Sequence, residues 1–87
     1  MTAPVAGPPF RLLLVDDHKV VRMGLASLFG GAPHFTVVGE AGTEVEAIAA
    51  ARRLQPDVVI MDVRLPDGSG VEACREIRSE RPETRVV

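Results

Sequence analysis

Tryptophan and tyrosine are absent from this 87-residue chain, and its only aromatic side chains are Phe10, Phe29 and Phe35. Single-strand nucleic-acid binders stack bases on aromatic platforms, so the composition argues against that class. A basic excess is missing too. Ten Lys and Arg against twelve Asp and Glu leave a net charge of −2, the wrong balance for a protein built mainly to grip a phosphate backbone. One cysteine, Cys74, makes no intramolecular disulfide and no thiolate metal cluster, which points to a reducing, cytoplasmic compartment. No apolar run approaches the roughly 18–20 residues that span a bilayer. The first nine residues also lack the basic and apolar regions of a secretion signal, so no membrane role is expected.

What is present is ordinary globular material, 46% hydrophobic and 25% charged, in a length that holds one domain at most. Residues 1–10, with Pro4, Pro8 and Pro9, read as a flexible leader. Leu12 to Val15 is a short continuous apolar run, the pattern of a strand buried on both faces. Val20, Val21, Gly24, Leu25, Leu28 and Phe29 then recur at helical spacing until Gly30-Gly31. A β-rich stretch around Val37-Val38 follows. Thr43 and Glu46 form a capping-box pattern opening a second helix, with Val45, Ile48, Ala49 and Leu54 as its apolar stripe and Pro56 beyond its end. Val58 to Met61 is a third strand, and Val63 to Gly70 a loop. Ser69 and Glu72 repeat the capping-box pattern before a third helix striped by Val71, Cys74 and Ile77, which Pro82 ends. Arg85 to Val87 opens a fourth strand. The order β-α-β-α-β-α-β predicts an α/β fold, a doubly wound parallel sheet with right-handed crossovers. Such sheets normally continue for at least one more unit, so residues 11–87 are expected to be the front portion of a domain, stopping as strand four starts.

Ligands of parallel α/β sheets sit outside the carboxyl ends of the strands where strand order reverses. The first strand ends in Asp16-Asp17 and the third in Asp62. With order 2-1-3 these strands are neighbours, and three carboxylates converge. Single acids after strands commonly start turns or cap helices, but a pair plus a third on adjacent strands points to a site. Two carboxylates about 4 Å apart repel by about 4 kcal/mol at an effective dielectric near 20, and a hard divalent cation relieves this. Mg²⁺ suits few protein oxygens with room left for water and a phosphoryl group. An aspartate beside it can act as a nucleophile toward phosphorus.

Val15-Asp16-Asp17-His18 and the run from Met61-Asp62 through Arg64, Pro66 and Asp67 to Gly70 resemble the receiver domain of two-component response regulators. The resemblance runs from about Arg11 to Val87 and is greatest to the LuxR-type (NarL-type) transcription regulators. It implies a flavodoxin-like (CheY-like) fold, with Asp62 as the phosphoacceptor that forms 4-aspartylphosphate. Asp16, Asp17, Asp62 and the backbone carbonyl of Arg64 would hold Mg²⁺. Pro66 and Gly70 correspond to the receiver's loop proline and glycine. The implied partners are a sensor histidine kinase, a second copy of the full-length regulator, and DNA through a helix-turn-helix domain absent from this chain. The implied role is phosphoacceptance controlling transcription, not enzymatic turnover beyond self-phosphorylation and autodephosphorylation.

The family's Ser/Thr at the end of strand four and Lys at the end of strand five have no counterpart here, and neither Thr84 nor Lys19 occupies those places. The chain by itself is therefore expected to be phosphorylated poorly, and to be marginally stable or associating. Two alternatives stay open: a Mg²⁺-dependent phosphohydrolase with an aspartate nucleophile, disfavoured because Arg64 stands where such enzymes need a second acid, and a non-phosphorylated docking fragment. His18 and His34 lack partner motifs, and Cys74 is expected to be a buried, inert thiol. The alternating charges from Glu72 to Arg81 read as a solvated face. No G-x-G-x-x-G or Walker-type sequence exists, so a dinucleotide or nucleoside triphosphate site is not expected.

Overall fold

The four residues from Leu12 to Val15 have at most 2% of their surface exposed, so consecutive side chains, which point to opposite faces of a strand, are all buried. A central strand covered on both faces requires this. In the computed structural model, which describes residues 9–87, strand β1 (Phe10–Val15) pairs in parallel with β2 (Phe35–Ala41) on one side and β3 (Val58–Met61) on the other. Phe10, assigned to the leader from the sequence, is the first residue of β1; residues 1–8 of that leader lie outside the described residues. Two further short strands, β4 (Arg64–Leu65) and β5 (Gly68–Ser69), form a separate antiparallel hairpin within the expected loop. Strand β6 (Arg85–Val86) adds in parallel to β3. The sheet order is β2-β1-β3-β6, so the first and third strands are neighbours, and the fold is the receiver-type parallel sheet with helices on its faces.

Three helices cross over between the strands: α1 (Lys19–Gly30), α2 (Glu44–Leu54) and α3 (Gly70–Glu80). Helices α2 and α3 pack together on the face carrying Leu13, Val15 and Val59, and the core there is Ala47, Ala50, Ala51, Ala73 and Ile77. Leu12 and Leu14 alternate to the opposite face, where α1 lies along β1 and β2. At the lower edge of that face Phe35 packs against Phe10 and Phe29, with ring centroids 6.0 and 5.4 Å apart.

The expected helix stripes are met in part: Leu25, Phe29, Ile48, Leu54, Cys74 and Ile77 lie on the covered faces, and the other expected members are exposed. In α1 the partly covered residues are Arg22, Leu25, Ala26 and Phe29, at i, i+3, i+4 and i+7. Val20 and Leu28 instead stand 80% and 67% exposed. In α2 the sheet-facing residues are Ala47, Ala50, Ala51 and Leu54, while Val45 and Ala49 are exposed; in α3 they are Gly70, Ala73, Cys74 and Ile77, while Val71 is exposed. The physical reason is common to α2 and α3. They touch each other as well as the sheet, and small side chains on the inner stripe let their backbones approach. Cys74, expected to be buried, is only partly so.

The helix ends confirm the punctuation read from the sequence and add to it. Gln55 takes a left-handed conformation (φ 50°) that closes α2 ahead of Pro56. Arg11 on β1 then caps the same end, donating from Nη1 to the carbonyls of Leu54 and Gln55 at 2.6 and 2.9 Å. Thr84 is 1% exposed and points its hydroxyl at the Pro56 carbonyl. That places it ahead of β6, at the end of the sheet opposite the acids, in keeping with its exclusion from the site. No helix among the described residues is long and apolar enough to cross a membrane.

Candidate phosphoacceptor site

The sheet ladder carries the acids to its carboxyl edge. Asp16 directly follows β1, and its amide still donates to the Ala41 carbonyl at 3.0 Å; Asp62 directly follows β3, and its amide donates to the Val15 carbonyl at 2.8 Å. Both residues are thus held by backbone bonds at the strand ends while their side chains point out of the sheet. One ligand atom from each of Asp16, Asp17, His18 and Asp62 falls within 4.8 Å of the others. The three carboxylates that the sequence placed at one mouth are there.

The imidazole in this cluster was not expected. His18, the N-cap of α1, has Nδ1 2.8 Å from Asp16 Oδ1 and 3.0 Å from Asp17 Oδ1. Asp16 Oδ1 also accepts the His18 backbone amide at 2.8 Å. Burial pushes the Asp16 carboxyl up, but the hydrogen bonds from His18 and the charge of Arg22 outweigh it and hold the group below the usual range. The hydrogen bond to Asp16, then the charge of Asp17, raises His18. Three carboxylates form an oxygen-rich donor set that fits a hard cation, and one imidazole at the rim leaves that preference unchanged.

Arg64 enters through its backbone. Its amide donates to Asp62 Oδ1 at 3.2 Å, and its side chain is exposed. From there the chain runs through the β4–β5 hairpin, whose two-residue turn is Pro66-Asp67. It closes on α3 with a bond from the Gly70 amide to the Val63 carbonyl at 2.8 Å. A Cβ on Gly70 would overlap the Asp62 carbonyl, so glycine is required there by close approach.

Five contacts around the loop are not visible in the local sequence. Asp67 accepts from the amides of Glu44 and Val45 at 2.6 and 3.1 Å. Glu44 Oε1 accepts from the Ser69 amide at 2.8 Å. Arg22 donates to the Asp16 carbonyl and to Glu40. The expected caps do form: Thr43 accepts from the Glu46 amide, and Ser69 from those of Val71 and Glu72. In each, however, the reciprocal half is shifted. Glu46 bonds the Gly42 amide, and Glu44 stands in for Glu72 at Ser69. Spacing along one helix carries no trace of a partner 25 positions away.

A parallel α/β sheet of order 2-1-3 with an acid cluster at its switch point is the architecture of a signalling receiver. The chain belongs to the response regulator receiver domain family, whose profile matches residues 12–87. Among its relatives is the DNA-binding transcriptional activator DevR/DosR of Mycobacterium tuberculosis, 52% identical over 77 residues, covering 88% of this chain and 36% of the relative. A LuxR-family two-component response regulator from an Aurantimonas species has a similar solved structure, with a TM-score of 0.83 and 42% identity over 88% of this chain and 55% of that one. The signal receiver domain of a NarL response regulator from M. tuberculosis gives a TM-score of 0.83 and 31% identity, covering 88% of this chain and 62% of that one. The chain spans a little over a third of the curated relatives it matches. The family and its LuxR/NarL kinship agree with the motifs read from the sequence.

Proposed function

We propose that this chain is the phosphoacceptor part of a two-component response regulator, with Asp62 as the acceptor. The observation that carries the reading is the cluster of Asp16, Asp17 and Asp62 within 4.8 Å at the carboxyl ends of adjacent strands in a receiver fold. Asp16, Asp17, Asp62 and the backbone carbonyl of Arg64 would hold Mg²⁺, which when bound offsets charge on the transferring phosphoryl oxygens. An Asp62 carboxylate oxygen forms the new O–P bond, the P–N bond to a kinase phosphohistidine breaks, and the electron pair leaves with the imidazole. The residues around Asp62 orient it: the Val15 carbonyl fixes its amide, and the Arg64 amide fixes one carboxylate oxygen.

The partner supplying the phosphoryl group is a sensor histidine kinase. In a longer regulator of the kind represented by its relatives, the phosphate adds up to about two negative charges. Those charges bias a two-state element toward homodimerisation and toward DNA binding through a helix-turn-helix domain outside this chain. The setting is the cytoplasm, and chemistry is limited to self-phosphorylation and autodephosphorylation. Arg64 in place of a second acid supports this over a phosphohydrolase.

Mg²⁺ titration followed by NMR tests the site, and intact mass after incubation with Mg²⁺ and a small acyl phosphate tests the acceptor. The expected results are Mg²⁺ shifts centred on residues 16, 17 and 62, and slow, substoichiometric addition of one phosphoryl group that Asp62→Asn abolishes. No Mg²⁺ response in the wild-type chain, or labelling that survives Asp62→Asn, would overturn the proposal.

A further inference from the structure

Two strands of two residues each do not hold a hairpin in place by themselves, yet the β4–β5 hairpin carries the loop that follows Asp62. What holds it is the first turn of α2. A helix starts with amides that have no partner inside it. In α2 the Thr43 hydroxyl takes the amide of Glu46, and the amides of Glu44 and Val45 go to the two oxygens of Asp67 at the hairpin tip. Asp67 is thus a second N-terminal cap supplied from 22 to 23 positions away, a carboxylate at the positive end of the helix. Glu44 returns the bond through its side chain to the Ser69 amide at 2.8 Å, and Ser69 in turn caps α3. Gly68 makes room for this contact, since a Cβ there would overlap Glu44 Oε1.

The exchange closes a ring from α2 through the hairpin to α3, and Asp62 hangs from its near end through the Arg64 amide. We infer that Glu44 and Asp67 are positioning residues for the Asp62 site: by clamping both the tip and the return strand of the hairpin to α2, they fix the Arg64 backbone against the Asp62 carboxylate. The part of this that concerns Mg²⁺ rests on the receiver reading above. The clamp itself is a statement about the loop. It also ties the position of the acceptor loop to the orientation of α2, so a shift of one displaces the other.

The test compares the wild-type chain with Glu44→Ala, Glu44→Gln and Asp67→Asn. Both Glu44 variants lose the same charge, but only Gln keeps an oxygen able to accept from Ser69. Amide hydrogen exchange, which needs no metal, should speed up about tenfold at Arg64 and Ser69 in Glu44→Ala and return to within about threefold of wild type in Glu44→Gln. Mg²⁺ affinity by titration should weaken about fivefold in Glu44→Ala and recover in Glu44→Gln. Asp67→Asn, which retains one acceptor oxygen of two, should fall between and serves if Glu44→Ala does not fold. Unchanged exchange at Arg64 in Glu44→Ala, or equal changes in the Ala and Gln variants, would overturn the clamp. Absence of Mg²⁺ binding in the wild-type chain would instead strike the metal reading, with the exchange data still deciding the clamp.

Discussion

Arg22, one turn into α1, places Nη1 2.5 Å from the carbonyl oxygen of Asp16. Its Nε lies 3.0 Å from Glu40 Oε1, so one guanidinium ties the end of β1 to the end of β2. The side chain is 19% exposed, and the bond to the Asp16 carbonyl is charge-assisted and partly buried, where loss of a partner costs about 2 kcal/mol. The Glu40 pair is more exposed and adds little. Arg22→Ala should therefore lower the melting temperature by about 10 °C, taking roughly 4–8 °C per kcal/mol for a domain of this size. Arg22→Lys, with a single ammonium in place of a planar fork, should recover about half of that. An unshifted melt in Arg22→Ala would mean that the tie bears no load.

Ala47 and Ala73 have no exposed surface, whereas Val45 and Val71 are 70% and 52% exposed. The larger residues therefore face solvent and the smallest face the core, the reverse of what hydrophobicity alone implies. Ala47→Leu and Ala73→Leu should each cost about 1–3 kcal/mol by overpacking. Val45→Ala and Val71→Ala should each stay within about 0.5 kcal/mol of wild type. Urea denaturation of the four variants checks the ranking; equal costs across the set would refute the close α2–α3 approach.

This inversion marks where sequence reading stopped. Strand identity and order were legible because β1 and β3 must be apolar on both faces, and the acids of the site stand directly after those runs. The helix stripes were only partly legible, because alanine and glycine at contact positions carry weak hydrophobic signal, while exposed Val20, Val45 and Val71 carry a strong one. The β4–β5 hairpin escaped because two-residue strands have no period to detect. Glu44, Asp67 and Arg22 carry no local sequence signal of their contacts. Their roles arise from partners that only the folded chain brings close.

The packing of α1 leaves Val20, Met23 and Leu28 with more than half of their surface exposed and Val21 at 43%. Apolar residues grouped on one helix surface, rather than scattered singly, favour association. Sedimentation velocity on the chain should show weight-average mass rising with concentration, and Val20→Lys with Leu28→Lys should restore a monomer. Because both sites are exposed, the double variant should not lower the melting temperature at low concentration. A wild-type chain that remains monomeric across the range would count against a cohesive surface.

Asp67 offers a pH test of the ring between α2 and the hairpin. The hydrogen bond from the Glu44 amide, with a further one from Val45, outweighs partial desolvation and holds its carboxyl below the ordinary aspartate value of 3.8. A carboxyl depressed in the folded state adds stability that is fully present above its unfolded pKa, about 3.9, and is lost as pH falls through the folded value. Asp67→Asn removes that contribution at every pH. Stability curves of wild type and Asp67→Asn should therefore lie apart above about pH 5 and converge below the folded pKa, where protonated Asp67 is no better an acceptor than Asn. Other depressed carboxyls, such as Glu80 held down by its hydrogen bonds from Arg52, titrate in both proteins and cancel in the difference. Urea midpoints measured from neutral pH down to the acid limb give that difference directly, and curves that stay parallel throughout would show that the Asp67 charge is not coupled to the fold.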